Sequence, residues 1–70
     1  MNKQELRAEM VRANFTNRKL AEVLNISEQA LYNKLDNRFD FKLTEIQIII
    51  RELNLSDKKM KDIFFSNEVE

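Results

Sequence analysis

The chain is expected to be all-α, a compact domain of four to five short helices with two of them crossing steeply near its middle. Three observations predict this. Apolar residues recur at helical spacing of three and four along most of the chain. A Ser, Thr or Asn stands ahead of most of these runs, where it can cap a helix. The 70 residues contain neither Gly nor Pro, so the strongest loop punctuators are missing and short helix-to-helix turns are what remains. At this length one domain is expected, burying roughly 60% of its unfolded surface, so stability is thin unless a partner adds burial.

Asn2 is placed to cap the first helix, with Glu5 three residues on to reach back to it, and Leu6, Met10 and Ala13 form its apolar face. Phe15 closes that face. Thr16 caps a short second helix carrying Leu20, Ala21 and Leu24 on one side and Arg18, Lys19 and Glu22 on the other. Ser27 caps a third helix with the stripe Ala30, Leu31, Leu35 and the outer face Glu28, Gln29, Tyr32, Asn33. Residues 36–41 lack periodicity and read as a loop pinned to the core by Phe39 or Phe41.

Thr44 and Gln47 have capping-box spacing at the start of a fourth helix, whose buried face is Ile46, Ile49, Ile50 and Leu53. Ile48 lies off that face, where it widens the buried stripe or meets another chain. Ser56 and Asp57 begin a last helix with Met60, Ile63 and Phe64 on one side and Lys58, Lys59 and Lys61 solvated on others. Phe64 and Phe65 cannot both face the core from adjacent positions, so one is a dimer contact or the core is wider than one stripe. Residues 65–70 read as a tail, extended or frayed from Ser66 on.

The informative block is Thr16 to Leu35, TNRKLAEVLNISEQALYNKL. Two helices packed steeply across a turn of three to four residues need a small side chain at their approach and a turn residue tolerant of positive φ. Ala21 supplies the first. Asn25 supplies the second, being the non-glycine type that enters the left-handed region most readily. Ile26 then buries the turn, Ser27 caps the next helix, and Leu31 meets Ala21 across the pair. The motif is a helix-turn-helix over residues 16–35, in a single domain of residues 1–70.

With Leu20-Ala21, Leu24, Ile26-Ser27 and Leu31 in this arrangement, the sequence resembles the phage Cro and repressor type of helix-turn-helix protein, with a lambda-repressor-like fold, over roughly Leu6 to Leu55. The stretches LNISEQALYNKLDN, FKLTEIQII and DIFFSNEVE look like those of very small Cro-like proteins from phages of low-GC Gram-positive bacteria. Two departures stand out. Asn25 occupies a turn position that usually holds Gly, and Lys34-Leu35 stand where many relatives have an aromatic or Leu followed by a polar residue.

The resemblance implies a sequence-specific, DNA-binding transcriptional regulator whose third helix enters the major groove. Carried over by position, the base-contacting residues are Ser27, Glu28, Gln29, Tyr32 and Asn33. Their chemistry suits base-edge contact, since Gln and Asn fit the N6 and N7 edge of adenine, Glu accepts from cytosine N4, and Tyr packs on a thymine methyl. Asn17, at the start of the second helix, matches a phosphate-reaching position, and Arg18, Lys19, Lys34, Arg38 and Lys42 are the candidate phosphate cations. In an ordinary helical bundle, Glu28, Gln29 and Asn33 would be inert surface residues and Tyr32 half-buried packing.

Other classes are disfavoured. The chain has no Cys and no His, which removes thiolate metal sites, the commonest metal ligand and the commonest general base. No enzyme activity, cofactor, metal or small-molecule substrate is therefore expected. No apolar run approaches a membrane span, and residues 1–10 are charged throughout rather than built like a signal peptide, so a cytoplasmic protein without a membrane partner is expected. Twelve basic residues balance twelve acidic ones. Between Arg12 and Lys42 six basic residues face four acidic ones, while residues 43–70 carry four against six. The expected partners are a double-stranded operator and a second copy of the chain, joined in solution or only on DNA. The alternative is a protein-interaction module, such as an antirepressor, built on the same fold; zero net charge favours it.

Overall fold

The structure, a computed structural model, describes residues 1–65, so the expectation of a tail from Ser66 falls outside the described residues. Among those residues it is all-α, with five helices and no strand: α1 (Lys3–Arg12), α2 (Asn17–Leu24), α3 (Glu28–Leu35), α4 (Leu43–Leu53) and α5 (Asp57–Phe64). Four of them start where the sequence places a cap. The side-chain oxygens of Asn2, Thr16, Ser27 and Ser56 accept the N–H of the third residue of α1, α2, α3 and α5 at 3.0–3.2 Å, occupying a donor that has no partner within the helix.

The remaining start, that of α4, differs from expectation. Thr44 and Gln47 do not form a capping box, because α4 begins at Leu43 with Lys42 as the cap residue. A Lys side chain cannot accept a hydrogen bond. Only the return half of a box exists, the Glu45 carboxylate accepting the Lys42 N–H at 2.9 Å. At α1 the return half is absent: Glu5 does not reach back to Asn2. Its carboxylate takes the Lys59 ammonium at 3.0 Å, and the Asn2 N–H donates to the Ile63 carbonyl at 2.7 Å. Both contacts tie α1 to α5, so tertiary partners have displaced a local one. Lys59 consequently braces two helices rather than merely solvating the last.

Asparagine takes the place of the missing glycine. Among the described residues positive φ occurs at Asn14, Asn25, Asn37 and Asn54, with φ between 54° and 62°. The next residue in each case donates its N–H to the carbonyl five positions back, at 2.8–3.0 Å, closing the helix end with a Schellman bond: Phe15 to Met10, Ile26 to Ala21, Arg38 to Asn33 and Leu55 to Ile50. Three connections read Asn-Phe-Thr, Asn-Ile-Ser and Asn-Leu-Ser. Their first residue ends one helix, the second packs on the core and the third caps the next helix. Of these asparagines, the sequence reading places only Asn25 in this role. Asn25→Ala is expected to cost about 1 kcal/mol, since a Cβ without a polar partner is crowded in the left-handed region, whereas Asn25→Gly stays within a few tenths of a kcal/mol of the parent. Thermal melts of the three chains check this; an Ala variant melting with the parent would contradict it.

One buried cluster joins all five helices. Leu6, Leu20, Leu31, Leu35, Ile49 and Ile63 are wholly inaccessible, with Met10, Ala21, Leu24, Leu53 and Leu55 around them. Helix α2 packs on both α3 and α4, while α1 packs on α5. The expected stripes of α2 and α3 are thus the buried ones, with Ala30 and Ile26 half-buried. On α4, Ile49 and Leu53 are buried and Ile46, Ile48 and Ile50 half-buried, so Ile48 widens the packed stripe. Of the two loop aromatics, Phe41 is the one held, edge-on to Phe64 with ring centroids 6.3 Å apart, and Phe39 is exposed. Phe64 faces the core and Phe65 faces out.

Candidate nucleic-acid interface

The bonding of the turn sets the outward face of α3. Asn25, with φ 58° and ψ 44°, ends α2, and Ser27 begins α3 only two residues later. Leu31 and Leu35 anchor the inner side of α3 in the core. With 3.6 residues per turn, Glu28, Gln29, Tyr32 and Asn33 fall within one arc of about 140°, which adjoins the buried stripe at Glu28. Glu28, Gln29 and Tyr32 are exposed and Asn33 is half-buried. The Gln29 amide N–H donates to the Asn33 side-chain carbonyl at 3.3 Å, one turn along the helix. That bond leaves the Gln29 carbonyl and the Asn33 amide hydrogens free. An acceptor and a donor side by side complement the adenine edge in the major groove. Ser27 spends its oxygen lone pair on the Ala30 N–H at 3.0 Å but keeps its hydroxyl proton for donation.

The flanking cations divide into two groups. Arg18 and Lys19, in the first turn of α2, and Lys42, at the head of α4, are exposed and have no ion-pair partner among the described residues. Asn17 is exposed at the first position of α2. These residues lie on the elements that bracket α3. Arg38 is exposed but shares Asp36, at 3.2 Å, with Lys3, which approaches the same carboxylate at 2.9 Å. The hydrogen bond from Lys3, then that from Arg38, holds the Asp36 pKa below its usual value.

Lys34 departs from the expectation. Counted among the phosphate cations on sequence, it points inward: its side chain is 12% exposed and its ammonium pairs with Glu45, itself 8% exposed, at 2.9 Å. The Asp40 carbonyl lies 3.4 Å from the same nitrogen, and the Phe41 ring centroid 5.8 Å away. The Lys34 ammonium is thus committed to a buried pair. Lys34 is therefore removed from the candidate phosphate contacts.

Burial works to raise the Glu45 pKa, but the hydrogen bonds from Lys34 and the Lys42 N–H, with the attraction of both ammonium groups, overcome it and leave the carboxyl below its usual range. A carboxylate depressed in the folded state adds stability above its unfolded pKa and loses it as pH falls through the folded value. Stability is therefore expected to decline with acid below the ordinary Glu range. Glu45→Gln should flatten that limb, and an identical acid melting curve for the two chains would contradict the assignment.

One cation was not legible in the sequence. Arg7, exposed on α1 and without an ion-pair partner among the described residues, lines a cleft of about 130 Å³ with Thr16 and Asn17 at the head of α2. Arg7 and Asn17 come from different helices and meet only at this cleft, which the spacing within either helix does not encode. Elsewhere on the surface a cleft of about 250 Å³ is lined by Phe39, Phe41, Ile46 and Phe64 with Met1 and Asp40. No group of three or more acidic residues able to hold a metal ion occurs among the described residues, and none of their helices is long and apolar enough to cross a membrane. Set against models of known families, curated proteins and solved structures, the chain finds no match in any of the three comparisons.

Proposed function

We propose that the protein is a sequence-specific DNA-binding regulator of the phage Cro and repressor type, reading the major groove with α3. The observation that carries this reading is the outer face of α3: Glu28, Gln29, Tyr32 and Asn33 together, bracketed by the uncommitted cations Arg18, Lys19 and Lys42. Glu28, Gln29 and Asn33 supply hydrogen-bond groups to base edges, with Tyr32 as the apolar contact. The cations and Asn17 hold the phosphates on either side. The ion pairs leave the zero balance as it is, since they take up six cations with five carboxylates, so the reading rests on where the unpaired cations lie, Arg18 and Lys19 on α2 and Lys42 at the head of α4.

One helix of this length covers too little surface for tight specific binding, so two copies act on a pseudo-palindromic operator with half-sites about 34 Å apart. Selection of bound duplexes from a random pool tests the reading. Enrichment of a pseudo-palindrome supports it; a pool that stays random after repeated rounds rejects it. A protein-interaction module is the second reading, favoured by the cleft in which Phe39, Phe41, Ile46 and Phe64 stand with the polar Lys34, Asn37 and Asp40, and by the balanced charge.

A further inference from the structure

We propose that the buried Lys34–Glu45 pair is a positioning device, which fixes the far end of the 36–42 loop against α3 and α4 and thereby sets where Lys42 meets the DNA backbone. The proposal rests on the DNA-binding reading and adds to it how part of the interface is held in place. Its geometry is that of a junction. The Lys34 ammonium, from the last turn of α3, reaches the Glu45 carboxylate on the first turn of α4 at 2.9 Å. The same carboxylate oxygen accepts the Lys42 N–H at 2.9 Å, and the Asp40 carbonyl lies 3.4 Å from the ammonium. The Phe41 ring stands beside the ammonium and packs on Phe64 of α5. Three consecutive loop residues, Asp40, Phe41 and Lys42, are thus held by a single ion pair that joins two helices.

Stability alone gives a poor reason for such a pair. Removing two charges from water is costly, and well-packed apolar residues of similar volume often stabilise as much or more. What apolar side chains cannot do is hold a backbone carbonyl and a backbone N–H at defined points. The loop has much to hold, since it carries the left-handed Asn37, the exposed Phe39, and two of the candidate phosphate cations. Its start is tied separately, by Asp36 to Lys3. The junction at Glu45 therefore governs the far end of the loop, where Lys42 enters α4.

The test separates positioning from stability by replacing the pair with apolar residues, Lys34→Met with Glu45→Leu, and reading two quantities in the folded chain. Amide exchange of residues 37–42 is expected to accelerate relative to the core helices. The slope of log affinity against log salt, on a duplex selected by the parent chain, is expected to fall by about 1, because the lost Lys42 phosphate contact removes about 0.9. Glu45→Gln, which keeps an acceptor for the Lys42 N–H but not the charge, serves as second variant should the double substitution fail to fold. Loop exchange at the parent's rate, or a slope equal to the parent's, overturns the proposal. A parent chain that binds no duplex overturns the DNA reading and this inference with it, whereas a parent that binds and a variant that binds identically overturn the inference alone.

Discussion

Leu31→Ala is expected to lower the unfolding free energy by about 2–5 kcal/mol, the usual cost of deleting a buried Leu and leaving a cavity. Leu31 is wholly inaccessible and belongs to the cluster that also holds Ala21, Leu20 and Leu35. Because it is the inner side of α3 that Leu31 buries, its loss weakens the anchor of α3 as well as the fold. A chain of this size has a total stability of only about 4–10 kcal/mol, so the variant is expected to lose a large fraction of it. Urea unfolding at 25 °C checks this: the midpoint should fall sharply with the slope unchanged. A midpoint equal to the parent's would mean that α3 is not held through this residue.

The second large effect is functional. Gln29→Ala together with Asn33→Ala is expected to weaken binding to the selected duplex by roughly 5- to 150-fold, since the acceptor and donor that the bonded pair presents make one bidentate base contact, which contributes about 1–3 kcal/mol. Binding to unrelated DNA should change little, because Arg18, Lys19 and Lys42 are untouched. The two single variants should each lose more than half of the joint effect, as each removes a member of a bonded pair and frees the other to rotate. Titrations on the selected and a scrambled duplex measure this, with circular dichroism to show that helicity is retained. A double variant that still discriminates the two duplexes would exclude the outer face of α3 as the reader.

How far the sequence reveals this molecule depends on whether the deciding interaction is local. Caps are local, so Asn2, Thr16, Ser27 and Ser56 are found where their spacing puts them. Apolar periodicity is also local, and it places Leu20, Ala21, Leu24, Leu31 and Leu35 in the core. The start of α4 was not legible from the same rules. Thr44 and Gln47 have the right spacing for a box, but Glu45 bonds to Lys34, eleven residues back, and to the Lys42 N–H, and the helix starts earlier, at Leu43. Glu5 is lost to Lys59, and Arg7 gains its place beside Asn17, for the same reason.

Lys34 shows this most sharply. Seen along the sequence it is one more cation after the outer face of a helix. Only the packing of α4 beneath it turns that position inward, so the candidate interface loses a charge that composition would have counted. The asparagine turns are a different case: the triplet of Asn, an apolar residue and Ser or Thr is visible in the chain three times, and a chain without glycine must meet its left-handed positions with some other residue.

Whether α3 and its flanking cations grip a duplex is decided by binding of the purified chain to its selected duplex over a range of salt concentrations, because contact with several phosphates obliges the affinity to fall steeply as counterions are restored. Log affinity is expected to fall linearly with log salt, with a slope of several units and a persistent preference for the selected sequence. An affinity indifferent to salt, or equal for selected and scrambled duplexes, would contradict DNA reading by α3.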